Sequence, residues 1–404
     1  MKRTFLTLVS LCLSIFVVGT AEFLVAGLLP QIGADLGVSV AVAGQAVTAY
    51  ALGTVIAGPL VAIATVRLPR KGLMLALMAV FAAGSAVSAL APSYPVLLAG
   101  RVITAIAHAT FFALTLIMAT RAAPAGRTGT AIAAVTSGLT VATLLGVPLG
   151  AALGQEAGWR LPFAVLAGLG VACLALLAFA LPRVPGRPAG AASEIAVLAR
   201  RPVLLSIATT AVGFAGVGVV FTYLAPTLNQ VSGFAPSTVS LLLVVYGLGS
   251  LLGNLVTGRL ADRAPGATLR GVFACLTVLL AVMPFAVAHQ AWAAATVLGL
   301  GLLATATVAP LQSLILQRAG SAPTLAVTVN VAAFMLAHAV GSAIGAGVVT
   351  VAGLRWTGVA GAVLSACGLL LSYLAAPRRT AAERQPAPGG ARRETGHVPA
   401  RGRH

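Results

Sequence analysis

Ala49-Tyr50-Ala51-Leu52-Gly53 and Val245-Tyr246-Gly247-Leu248-Gly249 stand 196 residues apart, and the same offset carries Pro30 onto Pro226 and Arg67 onto Arg263. At the end of each series, Trp159-Arg160 falls on Arg355-Trp356, again at one offset. In a chain so rich in Ala, Gly and Leu, one shared dipeptide would carry nothing. A register held from the first apolar run to the last makes the chain two copies of one unit. Parallel repeats of this kind, related by an axis along the membrane normal, are one of the architectures of secondary transporters.

What each copy contains follows from composition. Hydrophobic residues make up 59% of the 404 residues and charged ones 8%, against about 25% charged in a soluble globular domain. The net charge of +18 would suit nucleic acid if the basic residues were clustered. Instead they occupy gaps between about a dozen apolar runs, each long enough to cross the roughly 30 Å hydrocarbon core. We therefore expect no nucleic-acid partner. The runs are expected at about 5–30, 41–66, 72–91, 95–121, 127–155, 159–181, 203–231, 236–261, 267–289, 291–318, 322–353 and 356–376. They must be helices, because only helices and closed barrels satisfy every backbone group in lipid, and the strict alternation of barrel strands is absent. The fold class read from this is an all-α polytopic membrane protein of twelve transmembrane helices in two pseudo-symmetric six-helix bundles. The bundles are residues 1–181 and 203–376, joined by a cytoplasmic linker at 182–202 and followed by a disordered basic cytoplasmic tail at 377–404. The start, Met1-Lys2-Arg3 before an apolar stretch, resembles a signal peptide, but no small-x-small cleavage site follows and the repeat needs the stretch as a helix.

Placing the N-terminus in the cytoplasm puts Arg67, Arg70, Lys71, Arg121, Arg127, Arg183, Arg187, Arg200, Arg201, Arg259, Arg263, Arg270 and Arg318 on that side. Arg160 and Arg355 fall outside, beside Asp35 and Glu156. This is the asymmetry of the positive-inside rule, and it leaves both termini cytoplasmic in a multi-pass cell-membrane protein. The four cysteines lie within apolar runs without metal-ligand spacing, so they read as small core hydrophobes without a disulfide.

Few residues carry chemistry. Glu22 is the only acid well inside a span, and an intramembrane carboxylate is a functional candidate by default. Arg101 sits at similar depth in the fourth span and is its expected partner, provided the two helices are neighbours. His108 follows Arg101 by seven residues, on the same helical face, with Thr104 between; imidazole can titrate near neutrality or bond a solute. Glu22, Arg101 and His108 are read as the proton-coupling set, although each could also serve packing alone. His338 lacks a comparable polar neighbour in sequence. Thr104, Phe111, Phe112, Tyr50, Tyr246, Asn254 and Asn330 are the candidates for lining a solute cavity. In the fifth span Gly146, Gly150 and Gly154 recur at four-residue spacing around Pro148, a face that admits close backbone approach. Gly249 and Gly253 in the eighth span offer a matching stripe, and the two are expected to meet between the bundles and seal the outer side. Nothing resembles a nucleotide loop, a hydrolase elbow or a metal site, so no enzyme activity, cofactor or metal is expected.

At these motifs the chain resembles the drug:proton antiporters of the major facilitator superfamily, in the branch of chloramphenicol-efflux and arabinose-type sugar-efflux permeases. The likeness runs from about Phe5 to Pro377. Thr20-Ala21-Glu22-Phe23, the segment from Gly100-Arg101 to His108-Ala109, and Gly146-Val147-Pro148-Leu149-Gly150 through Gly158-Trp159-Arg160 carry it. The resemblance makes the last of these the antiporter motif of span five, and Arg101 the span-four arginine linked to proton transfer. The family's loop pattern Gly-x-x-x-Asp-Arg stands in the second half as Gly258 to Asp262-Arg263; in the first half Val66 occupies the place of the aspartate before Arg67. The implied function is alternating access around a site lined by spans one, four, seven and ten, with a proton exchanged for an outgoing amphipathic solute such as a chloramphenicol-like drug. An efflux carrier for a native metabolite such as a sugar or nucleoside, and a non-transporting receptor on a transporter scaffold, are the alternatives. The expected partners are a small-molecule substrate, the proton and the bilayer, with the protein acting as a monomer.

Overall fold

A computed structural model describes residues 2–182, 190–320 and 322–375. Among them there are twelve helical stretches long and apolar enough to cross a membrane: Thr4–Leu24, Val42–Ala64, Arg70–Ala89, Tyr94–Ala122, Thr128–Ala157, Arg160–Ala180, Arg201–Gln230, Ser237–Arg263, Pro265–Ala286, Gln290–Ala319, Pro323–Ala352 and Leu354–Leu374. They are numbered here as spans 1 to 12. Large apolar side chains on their outer faces, such as Ile56, Leu149, Phe179 and Val351, are exposed, as lipid-facing positions require.

The repeat seen in the sequence is repeated in the packing. Span 1 packs on spans 5 and 6 as span 7 packs on 11 and 12; span 2 meets 4 as 8 meets 10; span 3 meets 4 and 6 as 9 meets 10 and 12. The two six-helix bundles then join through spans 5 and 8 and through spans 2 and 11.

Three local departures from the expected runs have identifiable causes. The first helix ends at Leu24, passes through a 3-10 turn at Val25–Gly27, and restarts as a short helix Leu29–Leu36 with Pro30 in its first turn. Proline lacks an amide hydrogen and is accommodated where a helix begins, so the expected single run to residue 30 divides. Span 5 contains a π turn at Ala142–Gly146 immediately before Pro148; the proline ring clashes with the carbonyl four residues back, at Leu144, and the extra residue in the turn relieves it. The linker is not featureless: Ala191–Leu198 forms a helix that packs against span 11. Arg183 and Arg187 lie outside the described residues, as does the tail at 377–404. Of the four cysteines only Cys173 is buried; Cys275 and Cys367 are exposed rather than in the core.

Candidate functional site

Span 1 supplies the first half of the site by ending where it does. The last four carbonyls of a helix have no partner within it, and here these belong to Ala21, Glu22, Phe23 and Leu24. Arg101 of span 4 reaches two of them, donating to the Ala21 carbonyl at 2.6 Å and to the Glu22 carbonyl at 3.2 Å. A cation at a helix C-terminus also complements the helix dipole. The guanidinium lies over the Tyr50 ring at 4.2 Å, and Arg101 is almost completely buried. The expected partnership of Arg101 with Glu22 therefore takes a different form. Arginine holds the backbone of residue 22, while the carboxylate turns to His108, whose Nε2 lies 3.9 Å from Oε2.

His108 is fixed from its other side. Its Nδ1 stands 2.7 Å from the Tyr50 hydroxyl, and its ring stacks parallel to Phe112 at 6.2 Å. Nδ1 is engaged by the phenol in either tautomer, which leaves Nε2 as the nitrogen that faces Glu22. Glu22 is buried, and its Oε2 has no hydrogen-bond partner among the described residues. The group is a buried carboxylate facing an imidazole at 3.9 Å, outside direct hydrogen-bond reach, ringed by an arginine and a tyrosine.

The other cavity candidates divide. Thr104 bonds back to the carbonyls of Gly100 and Arg101, and Phe111 is part of the first-half core; neither lines an open space. Asn254 is a cross-bundle tie, donating to the Ala133 carbonyl at 3.0 Å and to the Thr136 hydroxyl at 2.9 Å. Asn330 is fully buried, and neither its Oδ1 nor its Nδ2 has a partner among the described residues. Tyr246 stays half-buried and meets Phe221 at 5.0 Å.

That contact belongs to a cluster the sequence did not assemble. Phe221 lies 5.8 Å from His338, Phe214 lies 6.4 Å from His338, and Phe214 packs edge-on against Phe334 at 4.8 Å. Phe214 and Phe221 are seven apart on span 7, Phe334 and His338 four apart on span 11, so each pair shares a helical face. That spacing was the available signal. The two clusters draw on spans 2, 8 and 11 as well as 1, 4 and 7, which broadens the expected lining.

The glycine stripes do not meet each other. A Cβ on Gly146, Gly150 or Gly154 would strike Thr20, Leu24 or Leu28, all within the first half, and one on Gly249 or Gly253 would strike the span 10 backbone. Spans 5 and 8 cross elsewhere, Gly247 facing Leu144 and the two backbones coming closest toward the opposite ends. A Cβ on Gly129 would come within 2.5 Å of the Gly258 carbonyl oxygen. Beside it, Asp262 accepts from the Gly129 amide at 2.5 Å and from the Thr130 amide at 3.2 Å, and takes the Thr130 hydroxyl. Arg263 next to it is exposed. The closure is therefore at the face carrying the basic loops, and a cavity of about 1080 Å³ lined by Arg201, Arg270 and Arg318 opens at that face within the second bundle, away from Glu22.

A family model of the Major Facilitator Superfamily matches residues 11–326. The chain belongs to the Major Facilitator Superfamily. This superfamily member is a transporter and not an enzyme. It is 35% identical over 375 residues to the inner membrane transport protein YdhP of Escherichia coli K12, covering 92% of this chain and 96% of that one. It is 36% identical over 349 residues to a chloramphenicol resistance protein of Streptomyces lividans, covering 84% and 88%. Among solved structures the E. coli fucose:proton symporter FucP superposes with a TM-score of 0.77 at 14% identity, over 93% of this chain and all of that one, which establishes the shared fold.

Proposed function

We propose that this transporter exports a small amphipathic, aromatic-bearing solute from the cytoplasm in exchange for a proton, with chloramphenicol-like compounds the leading candidates. The observation that carries the proposal is the Glu22–His108 contact at 3.9 Å inside the membrane-spanning region. A carboxylate and an imidazole in that position cost free energy, and groups placed there at such cost mark ion or proton paths. The half-buried surface around Phe221, Tyr246 and His338 offers rings against which a planar solute can stack. Similarity to a chloramphenicol resistance protein supports the drug reading. The basic loops support an orientation with both termini in the cytoplasm, and similarity to an inner membrane protein supports that location. The protein works as a monomer, with each bundle rocking against the other. One proton moving through 100 mV contributes about 2.3 kcal/mol, equal to a solute gradient of roughly 50-fold.

Reconstitution tests the proposal. With the lumen of proteoliposomes made acidic, the protein should accumulate chloramphenicol and alkalinise the lumen together. Glu22→Gln should abolish both while inserting normally. Equal accumulation by that variant would end the proton role of Glu22, and absence of chloramphenicol movement by the parent would end the drug assignment.

A further inference from the structure

Spans 5 and 11 begin without a cap of their own. Arg127 and Ala322 occupy the N-cap positions, and neither gives a side-chain bond to the helix. Arginine and alanine are poor at this position, where Ser, Thr, Asp or Asn would accept from the first free amides. Span 5 receives its acceptor from the other bundle, since Asp262 takes the Gly129 and Thr130 amides. By the internal repeat, the corresponding acid for span 11 should stand at position 66, where this chain has valine.

The amide that such an acid would take is already taken. Leu325 is related to Gly129 by the same offset of 196 that relates Asp262 to Val66. The Leu325 amide donates to Oε2 of Glu194 at 2.9 Å. Glu194 comes from the linker helix Ala191–Leu198 and is buried. It lines one small crevice together with Thr65, Val66 and Arg70 of the first bundle and Thr324 of span 11. Val197, one turn further along, sits in the apolar cluster that joins Leu73 and Met118 of the first bundle to Ala326 of span 11. The linker helix is thus wedged at the seam, and its carboxylate stands beside the residue that replaced the loop acid.

We propose that Glu194 is a positioning residue of the transport cycle, supplied by the linker in place of the acid missing at position 66, and that it holds span 11 against the first bundle when the cytoplasmic side is closed. The proposal rests on the alternating-access reading. It makes the linker a working part of the gate rather than a tether. Closure at the spans 2 and 11 seam then depends on where the linker helix is docked, while closure at the spans 5 and 8 seam uses Asp262, a residue of the second bundle itself.

The test follows the width of the cytoplasmic opening. Exposed positions Ala125 and Gln317, on the two bundles at that face, receive cysteines for spin labels in protein whose four native cysteines are replaced, and their separation is measured in lipid nanodiscs. Glu194→Gln keeps the size of the side chain and removes the charge. It should lower the closed-to-open ratio about tenfold, in keeping with a charge-assisted hydrogen bond becoming a neutral one. Adding Val66→Asp to that variant should return the ratio to the parent value, which a merely structural role of Glu194 would not allow. Asp262→Asn is the internal control. If it widens the opening while Glu194→Gln does not, the linker gate is wrong and alternation stands. If neither moves the distribution, the proposal fails, whereas a parent that shows one separation with and without chloramphenicol ends alternation and takes the proposal with it. A Glu194→Gln shift that Val66→Asp leaves unchanged overturns the replacement of position 66.

Discussion

The two bundles share a helix plan but not a chemistry. In the first, Glu22, Arg101 and His108 converge near the end of span 1. Their repeat partners in the second are Gly218, Val297 and Ala304, none of which can hold charge or a proton. In the second, Phe214, Phe221, Phe334 and His338 surround one another; their partners in the first are Val18, Val25, Gly138 and Ala142. Tyr50 and Tyr246 alone serve both clusters from equivalent places. A duplicated scaffold can divide labour in this way because packing needs only the small and apolar residues that both copies keep. A buried acid beside an imidazole and a cluster of rings each need a few special side chains, and each stands in one copy.

The seam between the bundles is where the comparison breaks most easily. Gly129→Val would drive a branched side chain into the Gly258 carbonyl, and overpacking typically costs about 1–3 kcal/mol. We expect the state closed at the face carrying the basic loops to become the minor one, with the population ratio changing at least tenfold by the same spin-label measurement. Gly150→Val is the matched control. Its Cβ meets Leu24 of its own bundle, so it should lower the thermal midpoint and leave the ratio alone. A shift in the ratio from Gly150→Val would return the seal to the outer glycine stripe.

The aromatic cluster gives a smaller and more selective effect. Phe221→Ala removes the ring that contacts both Tyr246 and His338. Aromatic stacking contributes about 0.5–1.5 kcal/mol beyond area burial, so KM for a planar solute should rise several-fold. On the proposed reading, in which Glu22 and His108 of the other bundle couple the proton, proton release per solute moved should stay unchanged. A change in stoichiometry would show that the division of labour is not clean.

The smallest effect lies at the outer face. Asp35 is held below the usual carboxylate range by hydrogen bonds from Arg160 and Trp159, at 2.5 Å and 3.1 Å. For a depressed carboxylate the stabilisation is complete above its unfolded value of about 3.9 and is lost as pH falls through the lower folded value. Asp35→Asn should therefore lower the midpoint slightly at pH 7, with the difference from the parent closing below about pH 4. A difference that persists in acid would mean that the loop, not the charge, sets the effect. Arg355 and Trp356 hold the equivalent place in the second bundle, where Arg355 donates to the Pro284 carbonyl instead of to an acid, so no such pH dependence is expected there.

Much of this protein was legible in one dimension. Twelve apolar runs separated by basic gaps dictate helices in lipid, since no other open structure satisfies the backbone there, and the offset of 196 dictates two bundles. The isolation of Glu22 in its span marked it without any structure. Partnerships were not legible. Glycine periodicity says that a helix has a smooth face but not which neighbour fills it, and the stripe of span 5 turned to span 1. Arg101 could be matched to Glu22 by depth, yet only the geometry showed that it takes the carbonyl and leaves the carboxylate to His108. Asn254 read as a cavity residue and is a tie across the seam. Glu194 drew no attention because a lone acid in a linker has no periodicity, and its meaning comes from Val66 and Leu325, which are respectively 128 and 131 residues away. The chain's hydrophobic pattern is a sum over local choices and fixes the helices and their number. Which polar group meets which is decided by contacts between distant residues, and these exist only once the bundles have closed on each other.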